Sequence, residues 1–274
     1  MKSKVLLYPY LFWVFLFTVV PMFLVVFFAF TDSSNNFTFK NILEVGKYSY
    51  VFLNSIFLGA IATLVCLLLG YPFAYLMSKI KLKYRGIVIM LIMLPMWMNF
   101  LLRTYAWMTL LENNGLINNV LSFLGFKHIN LINNQSAVVL GMVYNFLPYM
   151  ILPIYSTIIK IDKKIIEAAQ DLGAGRRLVF TKVILPLSNP GIISGITMVF
   201  VPAVSTFIIS KMLGGGSNIL IGDLIEMQFL GSSYNPHLGS SMSLILMVLI
   251  LLCMGIMNQL SSQNLKIKKR GEIK

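Results

Sequence analysis

Six long apolar segments are the feature that most constrains this chain of 274 residues. A helix needs roughly 20 apolar residues to cross about 30 Å of hydrocarbon, and each segment is near or above that length. Transmembrane strands are only about 10 residues long and alternate in polarity, which excludes a closed barrel. We therefore predict an all-α membrane protein, with one domain over 1–274 and six transmembrane helices at about 6–30, 51–77, 86–111, 131–159, 191–209 and 238–257.

The first apolar segment could also be a cleaved signal peptide, because Lys2 and Lys4 precede it. Its 25 residues exceed the roughly 7–15 residues of a typical signal-peptide core. No small-x-small cleavage site follows it. The sequence therefore predicts a first span that stays in the protein.

The basic residues are divided unequally between the two sides of a six-span topology. The N-terminus, the second and fourth loops and the C-terminal tail together hold 17 of the 22 basic residues and four of the nine acidic ones. Cytoplasmic loops carry such an excess of Lys and Arg, so we expect both termini in the cytoplasm. Charge divided among short loops beside the membrane indicates contact with anionic lipid and partner proteins, not with nucleic acid.

A short polar segment between the fourth and fifth spans has the pattern of a helix. Asp162 stands where an N-cap is expected, about three helical turns follow over 163–172, and Gly173 suits the C-cap. The apolar residues of these turns share one face, which consists of Ile165, Ile166, Ala169 and Leu172. A helix this short cannot cross a bilayer, so it lies on the membrane surface or docks onto another protein.

No pattern in the sequence indicates an enzyme or a metal site. The glycine run 214–216 is not followed by Lys and Ser/Thr at the offset that a phosphate-binding loop requires. The histidines His128 and His237 stand apart in predicted loops, without the spacing of a metal site. Any nucleotide must therefore be bound by another chain.

The segment Glu167-Ala168-Ala169, followed by Gly173 and then by 183–186 (Val-Ile-Leu-Pro), resembles the signature of ABC importer permease subunits. Val183 stands where that family usually has Ile. The resemblance implies a type I ABC importer fold, also called MetI-like, with a cytoplasmic coupling helix at about 163–172 that docks onto an ATPase. The coupling residues that it implies are Glu167, Ala168, Ala169, Asp171, Gly173, Leu185 and Pro186.

The resemblance assigns each part of this region a role. Glu167 would contact the ATPase, the two alanines would allow close approach, and Gly173 would form the turn. Pro186 would begin the return into the fifth span. ATP and Mg²⁺ would be bound by the ATPase, so we expect no cofactor in this chain.

A second set of residues resembles the narrower group of spermidine/putrescine permeases. It comprises a polar and aromatic third span together with the segments 141–148 and 212–222. The partners implied are a second homologous permease, an ATPase dimer, an extracytoplasmic polyamine-binding protein and membrane lipid. The solute-pathway residues that we infer are Trp97, Asn99, Arg103, Tyr105, Trp107, Tyr144, Asp223 and Glu226.

Simple chemistry makes these residues suitable for a polyamine. Aromatic faces attract ammonium groups by about 0.5–2 kcal/mol each, and a carboxylate supplies the countercharge. Asp223 and Glu226 are three residues apart on a helix predicted over 217–230, at the outer surface or in a re-entrant loop. No acidic residue falls in the middle of a span, which favours a pathway with modest affinity over a deep fixed site.

Six of these eight residues also have a purely structural interpretation. Tyr105 and Trp107 would fit the aromatic belt at a membrane interface. Asn99 could hydrogen-bond between helices, and Asp223 and Glu226 could be solvated acids or contacts to the binding protein. Arg103 is predicted to reach the outer interface and to extend its side chain into water.

Two other functions remain open at this point. The first is an ABC permease for a different small solute. The second is an ATP-independent secondary transporter, which predicts ionisable residues within the spans and usually an inverted repeat. Neither of these features is visible in the sequence. The pattern does not distinguish putrescine from spermidine.

Overall fold

The computed structural model describes residues 7–216, 218–231 and 233–271. The terminal charged residues Lys2, Lys4, Glu272 and Lys274 lie outside the described residues. The described part is almost entirely helical, with one isolated antiparallel bridge between Thr31 and Phe37. Its helices, in chain order, are α1 (Tyr8–Ala29), α2 (Lys40–Ser78), α3 (Leu82–Trp97), α4 (Phe100–Leu111), α5 (Leu116–Phe123), α6 (Gln135–Ile158), α7 (Lys163–Asp171), α8 (Arg176–Leu187), α9 (Asn189–Ser205), α10 (Ile208–Leu213), α11 (Ile221–Leu230) and α12 (Pro236–Gly271).

Four of these helices, α1, α2, α6 and α12, are long and apolar enough to cross a membrane. Two bent pairs raise the number to six if each pair counts as one span: α3 with α4–α5, bent by 87°, and α8 with α9, bent by 60°. The prediction of one continuous helix at 86–111 is wrong, because α3 ends at Trp97 and the chain resumes its helix at Phe100. The predicted helix at 191–209 begins earlier, at Asn189, and ends at Ser205.

Two wide turns interrupt otherwise regular helices. A π-helical turn over Phe15–Val19 precedes Pro21 in α1, and another over Phe180–Ile184 precedes Pro186 in α8. Proline has no N–H group to donate to the preceding turn, and its ring clashes with the carbonyl four residues earlier. The wider turn accommodates both effects, so these prolines shape their helices without ending them.

The core forms where α2, α6 and α9 pack against one another. Leu58, Met142 and Val199 represent the three helices in this core, and all three side chains are buried. The backbones of α2 and α9 approach closely at Gly59, where an added Cβ atom would lie 2.7 Å from Cγ2 of Val204. Small residues allow such contacts in membrane helices, where dispersion forces provide much of the association energy.

The C-terminal helix α12 packs against α1 and α11. The Ser241 hydroxyl group donates to the carbonyl oxygen of Ala29 at 3.1 Å, and the His237 ring lies edge-on to Phe28. Most large side chains of α1 are exposed in this single chain. Such a surface is suited to lipid or to another subunit.

Candidate functional site

The helix predicted between the fourth and fifth spans is present as α7, and its two ends are capped as expected. Oδ1 of Asp162 accepts a hydrogen bond from the Lys164 N–H at 3.0 Å. At the other end, the N–H groups of Gly173 and Ala174 donate to the carbonyls of Gln170 and Ala169 at 2.8 and 3.0 Å. This Schellman arrangement requires a left-handed residue, and Gly173 has φ +84°. The helix ends at Asp171, one residue before the predicted end.

The apolar face predicted for α7 is only partly buried. Ile166 and Ala169 are half-buried, but Ile165 is 46% exposed and Leu172 is 90% exposed. Leu172 is the C-cap residue, and the described part of this single chain leaves its side chain uncovered. The polar candidates Glu167 and Asp171 are exposed, as is Ala168. The outer surface of α7 therefore combines carboxylates with uncovered apolar side chains.

The residues after Gly173 form the helix α8, which the sequence analysis did not predict. The role expected for Pro186, to begin the return into the fifth span, stays a prediction: Pro186 lies near the end of α8, which begins at Arg176, and precedes the bend that leads into α9. Leu185 is partly exposed beside it. The chain bends at Ser188 before α9 begins. A proline is tolerated within α8 because the preceding π-helical turn accommodates its ring.

Aromatic and hydroxyl groups hold α8 against α2. The ring centroid of Phe180 lies 5.8 Å from that of Tyr71 and 5.0 Å from that of Tyr75, edge-to-face in both pairs. The Tyr71 hydroxyl oxygen lies 2.9 Å from that of Ser188. Since the Ser188 hydroxyl donates to the Leu185 carbonyl at 3.0 Å, Tyr71 is the donor in this pair. These contacts fix both the middle of α8 and the bend after it.

The candidates of the third span lie at the break between α3 and α4. Oδ1 of Asn99 accepts from the Leu101 N–H at 2.8 Å, so Asn99 caps its own helix and does not link two helices. The prediction that Arg103 extends into water is wrong: its side chain is buried, and Nη1 donates to the Pro95 carbonyl at 3.0 Å. The Pro95 carbonyl also accepts from the Met98 N–H at 3.3 Å, and Arg103 uses the second acceptor position of the same oxygen. Trp97 and Tyr105 are exposed.

The structure brings two of the predicted aromatic residues into contact. Trp107 of α4 and Tyr144 of α6 have ring centroids 5.1 Å apart at an interplanar angle of 64°. Both side chains are half-buried. The edge-to-face arrangement leaves part of each ring face open, and open ring faces are what a cation contacts.

The two acidic candidates, Asp223 and Glu226, both lie on α11 and not at the break between α3 and α4. The helix predicted over 217–230 begins at Ile221, and its predicted start, Ser217, lies outside the described residues. Oδ2 of Asp223 accepts from the Leu220 N–H at 2.7 Å. The Asp223 side chain is buried, so it is not a solvated acid, and burial raises its pKa.

Glu226 is ion-paired with Lys211, whose Nζ lies 3.1 Å from Oε1. Asp223, Glu226 and Lys211 line one cavity of about 400 Å³. None of the aromatic candidates described in the structure lines it. In residues 7–216, 218–231 and 233–271 no group of His, Cys, Asp or Glu has an arrangement that could hold a metal ion.

The chain is similar to membrane components of transport systems. Residues 66–267 match the family described as "Binding-protein-dependent transport system inner membrane component". The chain is 41% identical over 250 residues to the spermidine/putrescine transport system permease protein PotB of Haemophilus influenzae, covering 88% of this chain and 87% of that protein. It is 38% identical over 228 residues to PotB of Escherichia coli K12, covering 80% and 83% of the two chains.

Solved structures of ABC transporters share the fold. A chain of a bacterial ABC transporter involved in the import of the acidic polysaccharide alginate aligns with a TM-score of 0.80, at 18% identity and over 96% of both chains. A chain of the MetNI methionine ABC transporter aligns with a TM-score of 0.59, at 16% identity, over 79% of this chain and 95% of that one. The predicted all-α, MetI-like importer fold is therefore confirmed.

Proposed function

The chain belongs to the family of binding-protein-dependent transport system inner membrane components, and we propose that the solute it carries is a polyamine, spermidine or putrescine. It is a multi-pass permease subunit of an ABC importer in a bacterial inner membrane, and not an enzyme. The observation that carries the choice of solute is the similarity to two spermidine/putrescine permeases over most of both chains.

We propose three kinds of partner for this subunit: a second homologous permease, an ATPase dimer that binds ATP and Mg²⁺, and an extracytoplasmic polyamine-binding protein. The surface of α7 supports the contact with the ATPase, since Leu172 and Ile165 leave apolar area uncovered beside Glu167. A partner groove that covers these side chains gains about 25 cal/mol for each Å² of apolar surface removed from water. Ala168, which is exposed between them, allows the partner backbone to approach closely.

The contacts of α8 support a mechanical route from α7 to the spans. When ATP binding closes the ATPase dimer, α7 moves with it, and the turn at Gly173 passes the movement to α8. Phe180, held edge-on by Tyr71 and Tyr75, transmits it to α2. The bend at Ser188 transmits it to α9, so the core helices change their relative positions and open the pathway to the opposite side. Alternating access of this kind needs no chemistry within this chain.

The solute pathway that we propose uses the two separate groups of candidates in turn. The cavity with Asp223 and Glu226 offers carboxylates to an arriving ammonium group, which replaces Lys211 as the partner of Glu226. The solute then meets the ring faces of Trp107 and Tyr144. Trp97 and Tyr105 are exposed on either side of the break between α3 and α4. Asn99 and Arg103 position the break between α3 and α4. Each aromatic contact adds only about 0.5–2 kcal/mol, so the solute passes without being trapped.

The proposed orientation places both termini and α7 in the cytoplasm. It is supported by the 17 of 22 basic residues that fall on that side. The Asp223–Glu226 cavity then faces the outside, where a binding protein delivers the solute.

Uptake measurements test the choice of solute. The complete transporter is expressed in cells that lack other polyamine uptake systems, and entry of labelled spermidine and putrescine is measured against unlabelled amino acids and sugars as competitors. We expect uptake that depends on this chain, that only polyamines inhibit, and that stops when the ATPase is inactivated. Inhibition by another solute class would favour the alternative permease, and uptake without ATP hydrolysis would favour a secondary transporter.

A further inference from the structure

A cavity of about 650 Å³ opens where α7 and α8 face the ends of α2 and α6. Four basic side chains line it: Lys79 at the end of α2, Arg85 of α3, Lys163 of α7 and Arg176 of α8. Its volume is typical of sites for small ligands, which occupy about 300–1,000 Å³. The solute pathway proposed above does not use this cavity.

The charge of this basic cavity is not neutralised within the described part of the chain. No carboxylate lines the cavity, and the ion pairs found in the described residues are Lys47–Glu44 and Lys211–Glu226, which lie elsewhere. Four like charges around one space repel one another, and an anion between them removes that repulsion. A polyamine is a cation and would be repelled, so the ligand is not the transported solute.

One wall of the basic cavity is fixed before any ligand arrives. Nε and Nη2 of Arg85 donate to the carbonyls of Ile80 and Ser78 at 2.9 and 2.7 Å, which holds the guanidinium group at the end of α2. Nζ of Lys79 lies 4.1 Å from the ring centroid of Tyr75. The opposite wall carries Lys163 and Arg176, both exposed. An anion would therefore bridge a fixed wall and the α7–α8 segment.

The rest of the lining is mainly apolar and includes Ile158 and Ile166. The cavity lies at the ends of α2 and α6, two helices that are long and apolar enough to cross a membrane, and the orientation proposed above places these ends on the cytoplasmic side. Inorganic phosphate has no apolar part that could pack against this lining, whereas a phospholipid presents a phosphate next to hydrocarbon. Basic pockets between membrane helices on the cytoplasmic side bind anionic headgroups in this way.

We propose that the basic cavity binds the phosphate headgroup of an anionic phospholipid of the cytoplasmic leaflet. The bound headgroup joins α7 and α8 to the end of α2, so the lipid composition of the membrane sets how firmly the ATPase-contacting segment is held. The proposal depends on the orientation given above and not on the identity of the transported solute.

Lipid binding by the complete transporter tests the proposal. Phosphatidylglycerol is titrated into the detergent-solubilised complex, and bound lipid is counted by native mass spectrometry, with phosphatidylcholine and inorganic phosphate as reference probes. We expect retention of phosphatidylglycerol, no comparable retention of phosphatidylcholine, and no displacement by inorganic phosphate. The double variant Lys163→Gln/Arg176→Gln is expected to bind phosphatidylglycerol roughly 30-fold more weakly, since each basic residue near the surface adds about a five-fold gain.

The chain provides a matched control in Lys164→Gln/Arg177→Gln. These residues are the immediate neighbours of the tested pair, are exposed and do not line the cavity, and their substitution removes the same charge. A further variant, Lys79→Gln, changes the wall at the end of α2 and leaves α7 intact, so its lipid binding does not depend on ATPase docking. We expect the control to bind lipid as the unchanged chain does and Lys79→Gln to bind it more weakly.

Three results would overturn the proposal. The first is equal loss of lipid in the tested and control double variants, which would indicate general charge attraction. The second is unchanged lipid binding in both Lys163→Gln/Arg176→Gln and Lys79→Gln, which would leave the basic side chains to contact an acidic partner surface. The third is displacement of phosphatidylglycerol by inorganic phosphate, which would assign the cavity to a free phosphate compound.

Discussion

The hydroxyl oxygens of Tyr71 and Ser188 lie 2.9 Å apart, although 117 positions separate the two residues in the sequence. Both residues are buried, and the bond joins the C-terminal part of α2 to the bend between α8 and α9. Because a buried hydroxyl without a partner is costly, each residue restricts where the other can move. The bend is therefore attached to the core at a defined point, and we propose that movement of α7 and α8 reaches the core there.

The first prediction concerns the Tyr71 hydroxyl group. Tyr71→Phe removes the donor to Ser188 and should lower the free energy of unfolding by about 0.5–1.5 kcal/mol. It should also reduce the amount of solute imported for each ATP hydrolysed, because the bend is less firmly attached. Thermal unfolding and coupled transport of the purified complex measure both effects. Tyr84→Phe, at a half-exposed tyrosine of α3, is the control, and equal behaviour of the two variants would refute the role of the bond.

The second prediction concerns the turn after α7. Gly173 has φ +84°, a conformation that costs other residues about 1–2 kcal/mol and β-branched residues more. Gly173→Val should therefore abolish most uptake while membrane insertion of the chain is unchanged. Gly175 has φ −64° and open space around it, so Gly175→Val should retain most of the uptake. Normal transport by Gly173→Val would contradict the proposed mechanical route from α7 to the spans.

The third prediction concerns the aromatic pair of Trp107 and Tyr144. Trp107→Ala removes a ring face worth about 0.5–2 kcal/mol to a cation, so the KM for polyamine uptake should rise roughly 2- to 30-fold. Trp107→Phe keeps a ring and should give an intermediate KM. The matched control is Trp13→Ala on the exposed surface of α1. A KM that is unchanged in Trp107→Ala would remove this residue from the pathway.

The parts of the structure that the sequence predicted well depend on local interactions. The ends of α7 are determined by residues within one turn of Asp162 and Gly173, and capping preferences identify them. The long apolar segments indicate spans because the length of a segment and its apolar composition together decide whether it can cross a membrane as a helix. The resemblance carried by Glu167-Ala168-Ala169 located the helix between the correct spans.

The features that the sequence did not predict depend on contacts between distant residues or within uniformly apolar segments. The break at Asn99 lies in a segment that is apolar on both sides, so periodicity gives no signal there, although an Asn four residues after a proline is a possible cap. The direction of Arg103 depends on its contact with the Pro95 carbonyl at the end of α3, eight residues earlier in the chain. Helix α8 falls in a segment that was assigned only to the fourth loop between two spans. Phe180 finds its partners Tyr71 and Tyr75 more than a hundred positions earlier, so no local pattern reveals these contacts.

Cysteine crosslinking of the complete transporter is the most direct test of the proposed contact between α7 and the ATPase. Cys66 and Cys253 are replaced by alanine, and one new cysteine is introduced at Ala168→Cys. The control is Lys127→Cys, in the loop before α6 that the proposed orientation places outside the cell. During ATP turnover the cysteine at 168 should crosslink to the ATPase subunit and resist a membrane-impermeant thiol reagent added outside. The cysteine at 127 should react with that reagent and form no such crosslink. Labelling of position 168 from outside, or no crosslink to the ATPase during turnover, would contradict the account.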